Sequence, residues 1–129
     1  MNDMITKLIN LTPHDVIIYR EEDLDEYHRV KFGCRPYCVI PPATQPTARI
    51  ITQERPVDPL NVDGMDIPLT EKVMSHIQNL PAPVDGTFYI VSTIVALYVP
   101  HRSDLLVPTG NVRSRNGVIV GCTGFSRMV

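Results

Sequence analysis

GTFYIVSTIVALYVP, at residues 86–100, is the segment from which the architecture can be worked out. It begins as an apolar run rich in β-branched and aromatic residues, which predicts a buried strand. Ser92 or Thr93 can then cap about two turns of helix, which Pro100 ends. Such a helix carries apolar side chains on nearly every side, and a chain of 129 residues has little interior in which to hide it. We therefore expect one face of this helix to meet another subunit.

Further strands are expected on both sides of this segment. At the C-terminal end, the Asn116-Gly117 dipeptide separates two short β-rich runs and predicts a hairpin closed by a type I′ turn. Towards the N-terminus, five runs have the residue pattern of strands, at residues 7–11, 16–19, 30–32, 37–40 and 47–52.

The connecting segments complete the expected fold. Residues 20–28 hold a dense run of carboxylates and predict an acidic surface loop. Residues 56–64 contain prolines, Asn61 and Asp63, which favour a loop, and the apolar spacing over residues 70–79 predicts a short helix. The sequence thus predicts a single α+β domain over residues 1–129, with a small antiparallel β-sheet, one or two short helices and a C-terminal β-hairpin.

The composition excludes several classes of protein. With 43% apolar residues, 20% charged residues and a formal net charge of −2, the chain is neither a disordered tail nor a polycation that coats DNA or RNA. No run approaches the roughly 18 apolar residues of a membrane helix, and residues 1–7, MNDMITK, lack the apolar core of a signal peptide. Cys34, Cys38 and Cys122 form an odd set, so we expect reduced thiols and an intracellular protein.

No signature of a common enzyme class is present. The chain lacks the phosphate-binding loop, the dinucleotide fingerprint, the zincin helix and the nucleophile elbow. Cys34 and Cys38 have no second pair at zinc-site spacing, and His101 with Asp104 is the sole pair that resembles a general base and its partner. Exposed turn residues are the simpler interpretation, so we predict no catalytic residue, no metal and no cofactor.

Charge is distributed unevenly along the chain. Residues 101–129 hold four arginines against one aspartate, a net charge of +3, whereas residues 1–100 carry −5. Arg113 and Arg115 are two apart on one predicted strand, so both guanidinium groups would emerge on one face, where planar forks suit phosphate. The alternative is a solvated hairpin face beside the acidic loop.

An aromatic ring from Phe88 or Tyr89 would supply base stacking, and the pattern permits a small anionic ligand that contains a base.

Several segments, in their order and spacing, make the chain resemble phage proteins of the Thoeris anti-defence sponge type. They span nearly the whole chain: INLTPHDV (9–16), IPP (40–42), AR (48–49), VDG (62–64), NLP (79–81), GTFYIVS (86–92), RSDLLVP (102–108) and the Asn116-Gly117 hairpin.

This resemblance implies a non-catalytic homo-oligomer, a dimer or hexamer in the host cytoplasm. Such proteins sequester cyclic ADP-ribose isomers, and some also hold cyclic oligonucleotides, so that bacterial TIR-domain signalling is blocked. The ligand-binding residues that it implies are Phe88, Tyr89, Arg102, Asn111, Arg113, Arg115, Arg49 and His14.

Two other functions remain open at the level of sequence. The first is a small hydrolase that destroys a cyclic nucleotide with His101 or His14. The second is a phage protein that docks onto a host protein through its apolar helix and its arginine hairpin, without any nucleotide.

Overall fold

The computed structural model describes residues 7–129, so the absence of a signal-peptide pattern, which rests on the first residues, concerns a segment outside the described part. Eight strands, a short 3-10 helix and an α-helix follow one another along the chain. In order they are β1 (Lys7–Asn10), β2 (Val16–Ile18), the 3-10 helix (Glu21–Asp23), β3 (Cys38–Ile40), β4 (Arg49–Val62), β5 (Met65–Gln78), β6 (Thr87–Ile90), α1 (Thr93–Tyr98), β7 (Leu105–Arg113) and β8 (Ile119–Ser126).

The predicted α+β class with a small antiparallel sheet is wrong. The chain is mostly β, with 50% strand and 7% helix. Six strands form one mixed sheet in the order β1-β6-β7-β8-β2-β3, in which β1 and β7 both run parallel to β6. The parallel pair β6 and β7 arises because residues 91–104, with α1 inside them, form a crossover of the length that parallel strands need.

The six-stranded sheet curls until its two edge strands, β1 and β3, nearly meet. The Asn10 side chain donates a hydrogen bond to the carbonyl of Ile40 at 2.9 Å, and the backbone N–H of Ala43 donates to the carbonyl of Asn10 at 2.9 Å. These bonds join the end of β1 to the chain just after β3. The sheet is therefore barrel-like and nearly closed, which leaves little free edge at this corner.

The other two strands, β4 and β5, form a separate two-stranded antiparallel sheet, which we call the arm. Two predictions fail here, since residues 70–79 lie mostly in β5 instead of a helix and residues 56–64 lie mostly in β4 and its turn instead of a loop. Asp63 and Gly64 both have positive φ values, 50° and 84°, so they form the two-residue turn that suits tightly paired strands. Prolines are tolerated because each arm strand has one outer edge that needs no backbone donor.

Both faces of β6 are covered, and the helix α1 lies over one of them. Tyr89 packs with Val95 and Leu105 on the α1 side, and Ile90 packs with Val16 and Cys122 on the other side. The helix begins after Ser92, as predicted. Its buried residues are Val95 and Ala96, whereas Ile94 and Leu97 are about half exposed.

The C-terminal hairpin lies where the sequence predicts it, but its turn is of another type. Of the Asn116-Gly117 pair, Gly117 alone has a positive φ, 84°. Its N–H donates to the carbonyl of Ser114 at 2.9 Å, and the N–H of Ser114 donates to the carbonyl of Val118 at 2.8 Å. The turn therefore starts at Ser114, and Arg115 lies in the turn instead of on the strand.

Residues 20–28 are exposed except for Asp23, which is half-buried, and the buried Leu24, and they include the 3-10 helix. The predicted strand at residues 30–32 is reduced to a single bridge between Val30 and Leu24. The backbone of this segment also bonds to the end of β7, where the N–H of Arg113 donates to the carbonyl of His28 at 2.9 Å. The acidic loop is thereby attached to the C-terminal hairpin.

Candidate functional site

A hollow at the start of β6, which we call the Phe88 cleft, holds two of the sequence-predicted residues. Its volume is about 700 Å³, and its walls are residues 83–88 on one side and residues 101–104 on the other. Ligand sites in proteins commonly enclose about 300–1,000 Å³. Two of the sequence-predicted residues, Phe88 and Arg102, line this cleft together.

An ion pair fixes one wall of the Phe88 cleft. Arg102 donates from Nη2 to Asp104 Oδ2 at 2.6 Å and from Nε to Asp104 Oδ1 at 3.0 Å, and its Nη1 donates to the carbonyl of Pro81 at 2.9 Å. Both side chains are about 15% exposed. Arg102 is thus bound to a carboxylate of its own chain, and this pairing holds residues 101–104 against the segment that precedes β6.

A second guanidinium group lies over the ring of Phe88. The Arg127 guanidinium carbon is 5.4 Å from the centre of that ring, within the range of a cation–π contact. Among residues 7–129 there are three ion pairs, and Arg127 belongs to none of them. Arg127 also lines a neighbouring hollow of about 480 Å³ that shares His101 and Ser103 with the Phe88 cleft. A cation without a carboxylate partner therefore stands at the junction of two hollows.

Tyr89 lies elsewhere. Because neighbouring residues on a strand point to opposite faces, the ring of Tyr89 lies on the α1 side, in the core, with 3% of its surface exposed. Phe88 is the one of the two rings that reaches a cleft.

Arg113 and Arg115 do not share a strand face, so that prediction is wrong. Arg113 Nη1 donates to the carbonyl of Gly117 at 2.7 Å and so braces the hairpin turn. Arg115 instead lies over the ring of Phe32, with its guanidinium carbon 5.3 Å from the ring centre. The two arginines serve different parts of the molecule because the turn begins before Arg115.

Arg115 belongs to a second cationic hollow, the Arg115 pocket, of about 420 Å³. Its charged lining residues are Arg29, Lys31 and Arg115 against Asp25, and the ring of Phe32 is 87% exposed. Arg29, Lys31 and Phe32 were not among the residues predicted from the sequence; the alternation of cationic and apolar residues at 29–32 is the signal that points to them.

The carboxylate of Asp25 organises the loop beside this pocket. Its Oδ1 accepts hydrogen bonds from the N–H groups of Tyr27 at 2.8 Å and Arg29 at 3.0 Å. The bond from Arg29 is the main reason why the pKa of Asp25 lies below its ordinary value of 3.8. Asp25 keeps its negative charge, and because three cationic side chains face this one carboxylate, the pocket has an excess of positive charge.

The remaining predicted residues lie at two other places. His14 and Asn111 both line a hollow of about 400 Å³ between β2 and the C-terminal hairpin. Arg49 lines another hollow of about 360 Å³ near the base of the arm. The eight residues implied by the resemblance therefore do not converge on one site within a single chain.

Comparisons with known proteins add no relative: no family model, no curated protein and no solved structure matches the chain. Across residues 7–129, no cluster of three or more histidine, cysteine, aspartate or glutamate side chains is placed to hold a metal ion. Over the same residues, no helix combines the length and the apolar character that crossing a membrane requires.

Proposed function

We propose that the protein is a non-catalytic binding protein that sequesters a cyclic ADP-ribose isomer in the host cytoplasm, with the Phe88 cleft as its ligand site. The observation that carries this proposal is the contact between the Arg127 guanidinium and the ring of Phe88, at 5.4 Å. It joins an aromatic face to a cation free of carboxylates at the edge of a cleft of about 700 Å³.

Each part of this arrangement suits one part of such a ligand. Phe88 is 7% exposed and Arg127 lies over its ring, so the purine can stack on that ring only after the guanidinium turns aside towards the phosphates, and such stacking contributes on the order of 1–3 kcal/mol for one base. The pyrophosphate can bond to the planar fork of Arg127, and a hydrogen bond to a charged group contributes about 1.5–3 kcal/mol. Nanomolar capture corresponds to about −12 kcal/mol, so ribose contacts and exclusion of water from the cleft must supply the rest.

Arg102 has a different role in this proposal. Because its guanidinium is already paired with Asp104 and Pro81, it shapes the wall of the cleft and holds residues 101–104 in place. A rigid wall lowers the ordering cost that a ligand would otherwise bear on binding.

The experiment is titration calorimetry with cyclic ADP-ribose isomers made by a bacterial TIR-domain enzyme. The Arg127→Gln and Phe88→Leu variants remove the charge and the ring while keeping much of the volume, and each is expected to raise Kd at least about 10-fold. The matched control is Arg115→Gln, which removes the other guanidinium that lies over a phenyl ring and is expected to leave Kd within about twofold.

The proposal fails if the unmodified chain shows neither heat nor an adduct in native mass spectrometry. A loss of binding confined to Arg115→Gln would move the site to the Arg115 pocket. Heat denaturation of the complex, followed by chromatography of the released ligand, separates sequestration from hydrolysis: a binding protein returns the ligand intact, whereas an enzyme that uses His101 or His14 returns product.

A further inference from the structure

The hollow that adjoins the Phe88 cleft, which we call the Met128 hollow, has no part in the proposed function. Its volume is about 480 Å³, and it shares His101 and Ser103 with the cleft of about 700 Å³. Each volume lies within the range of about 300–1,000 Å³ that is usual for a ligand site. The surface therefore offers room for a ligand on both sides of these shared residues.

The guanidinium group of Arg127 stands where the two hollows meet. It lines the Met128 hollow and lies over the ring of Phe88, which belongs to the cleft. The side chain is exposed and has no carboxylate partner, so it can turn towards a ligand in either hollow. A planar fork of donors suits a pyrophosphate. This position of Arg127 fits a ligand that carries its negative charge in the middle.

The two hollows differ in the chemistry of their walls. Asp85 lines the Phe88 cleft alone, is exposed, and belongs to no ion pair within the part of the chain that the structure describes. Dinucleotide-binding proteins use such a carboxylate to accept hydrogen bonds from the hydroxyls of a ribose. The Met128 hollow instead has apolar walls at Pro100, Met128 and Val129, which suit an uncharged ring.

This division favours a linear ligand over a cyclic one as the occupant of both hollows. In a cyclic ADP-ribose isomer the second ribose is bonded back to the adenosine half, so the molecule is compact and can be held in the Phe88 cleft alone. In a linear dinucleotide the two nucleosides diverge from a central pyrophosphate. Each nucleoside can then enter one hollow while the pyrophosphate lies at Arg127.

We propose that the protein also binds linear dinucleotides, in which a pyrophosphate joins two nucleosides, across the Phe88 cleft and the Met128 hollow. The adenosine half occupies the cleft with its ribose hydroxyls on Asp85, the pyrophosphate bonds to Arg127, and the second nucleoside lies against Met128. This inference rests on the proposed function, because both ligands use the Phe88 cleft. A linear dinucleotide and the cyclic messenger therefore compete for the protein.

The first experiment is titration of the unmodified chain with NADH, whose reduced nicotinamide ring is uncharged, and with its adenosine half, AMP. Because the linked ligand fills both hollows, we expect the Kd of NADH to be at least about 100-fold below that of AMP. NADH should also displace a bound cyclic ADP-ribose isomer. NADPH carries a phosphate on the 2′-hydroxyl that Asp85 is assigned to hold, so it should bind at least about 10-fold more weakly than NADH.

The role of Asp85 is tested by the Asp85→Asn variant, which keeps the size of the side chain and removes its charge. It is expected to raise the Kd of NADH about 10-fold, since a hydrogen bond to a charged group is weakened. The difference between NADH and NADPH should shrink to within about threefold, because the repulsion of the 2′-phosphate is lost. The matched control is Asp58→Asn, at an exposed carboxylate of the arm that likewise belongs to no described ion pair; it should leave both Kd values within about twofold.

The role of the Met128 hollow is tested by filling it. Met128→Trp is expected to raise the Kd of NADH at least about 10-fold and to leave that of the cyclic isomer within about twofold, because bulk there obstructs only the second nucleoside. Met128 also packs against the core, so retained binding of the cyclic isomer shows that the fold is kept. Val129→Trp, at an exposed position of the same hollow, repeats the test without touching the core.

Failure of this inference and failure of the proposed function give different results. If the cyclic isomers bind but NADH neither binds nor displaces them, the linear ligand class is wrong and the proposed function stands. If neither ligand binds, both proposals fail. An affinity for NADH no higher than that for AMP, or equal affinities for NADH and NADPH, would also overturn the inference, since the Met128 hollow or Asp85 would then play no part in binding.

Discussion

Asn10 is a buried amide whose hydrogen-bonding capacity is fully used. Its Nδ2 donates to the carbonyls of His14 at 2.8 Å and Ile40 at 2.9 Å, and its Oδ1 accepts from the N–H and the hydroxyl of Thr12 at 2.9 and 2.6 Å. The residue is 2% exposed. One side chain thus shapes the corner after β1 and joins β1 to β3, which explains why a polar residue sits in the interior.

The Asn10→Asp substitution tests this role without a change in size. A carboxylate cannot donate, so it would face two carbonyl oxygens without a hydrogen between them, and we expect a loss of about 2–4 kcal/mol in the free energy of unfolding. The control is Asn61→Asp, at an exposed amide bonded to Asp66, with an expected loss below about 1 kcal/mol. Urea unfolding measures both, and equal losses would contradict the assigned role.

Asp25 gives the acidic loop a defined pH dependence. Its carboxylate is stabilised in the fold mainly by the N–H of Arg29, so its pKa lies below 3.8. A lowered pKa means that this ordering is complete above the ordinary value and is lost as the pH falls through the folded value. We therefore expect the amide resonances of Tyr27 and Arg29 to titrate together in NMR spectra, with a midpoint below 3.8.

The Asp25→Asn variant is the control for this titration. The amide oxygen still accepts the two hydrogen bonds, but nothing at this position titrates, so the step should vanish from both resonances. A midpoint at or above 3.8 in the unmodified chain would contradict the account.

At the scale of elements, β8 depends on a glycine where it passes β2. A Cβ atom at Gly121 would lie 2.6 Å from the carbonyl oxygen of Ile17 and 3.0 Å from the ring of Tyr19, whereas one at Gly124 meets nothing within 4 Å. A backbone carbonyl cannot move aside as the end of a flexible side chain can. The close approach of β2 and β8 therefore requires glycine at this one position of the strand.

Alanine at these two positions of β8 gives a matched comparison. Gly121→Ala is expected to lower the free energy of unfolding by about 1–3 kcal/mol, because the strands must separate. Gly124→Ala should be neutral or slightly stabilising, since alanine restricts the unfolded chain more than glycine does. Thermal unfolding compares the two, and an unchanged midpoint in Gly121→Ala would show that the strands can shift freely.

The elements that the sequence predicted correctly are those specified by local chemistry. Ser92 and Pro100 bound a short apolar run, and the helix forms between them. Residues 70–79 were mispredicted because Val73, Met74 and Ile77 fit a helical spacing as well as a strand with a bulge. The pairing with β4, including its irregularity between Ile51 and Thr52, decides for the strand. The spacing of apolar residues within one segment carries no information about the strand that pairs with it.

At the scale of the whole molecule, the candidate site likewise depends on contacts between distant residues that local sequence patterns do not specify. The sequence predicted that Phe88 or Tyr89 and arginines near the C-terminus line one ligand site; in the structure Arg127 lies over Phe88, whereas Arg115 lies over Phe32. It predicted neither pairing, because Phe32 is brought to the hairpin by a loop with no regular structure. The binding of a messenger itself stays a prediction.

The pairing of β1 with β6 has a consequence for how the polypeptide is made. Leu8 lies beside Phe88, so most of the chain separates the two partners. The arm needs only its own two-residue turn. During synthesis, the first strand must wait on the ribosome surface until residues 87–90 emerge, while the arm already has both of its strands. In a nascent chain arrested before residue 87, β1 therefore lacks its partner, whereas the arm has both of its strands but, as an uncovered hairpin, is only marginally stable.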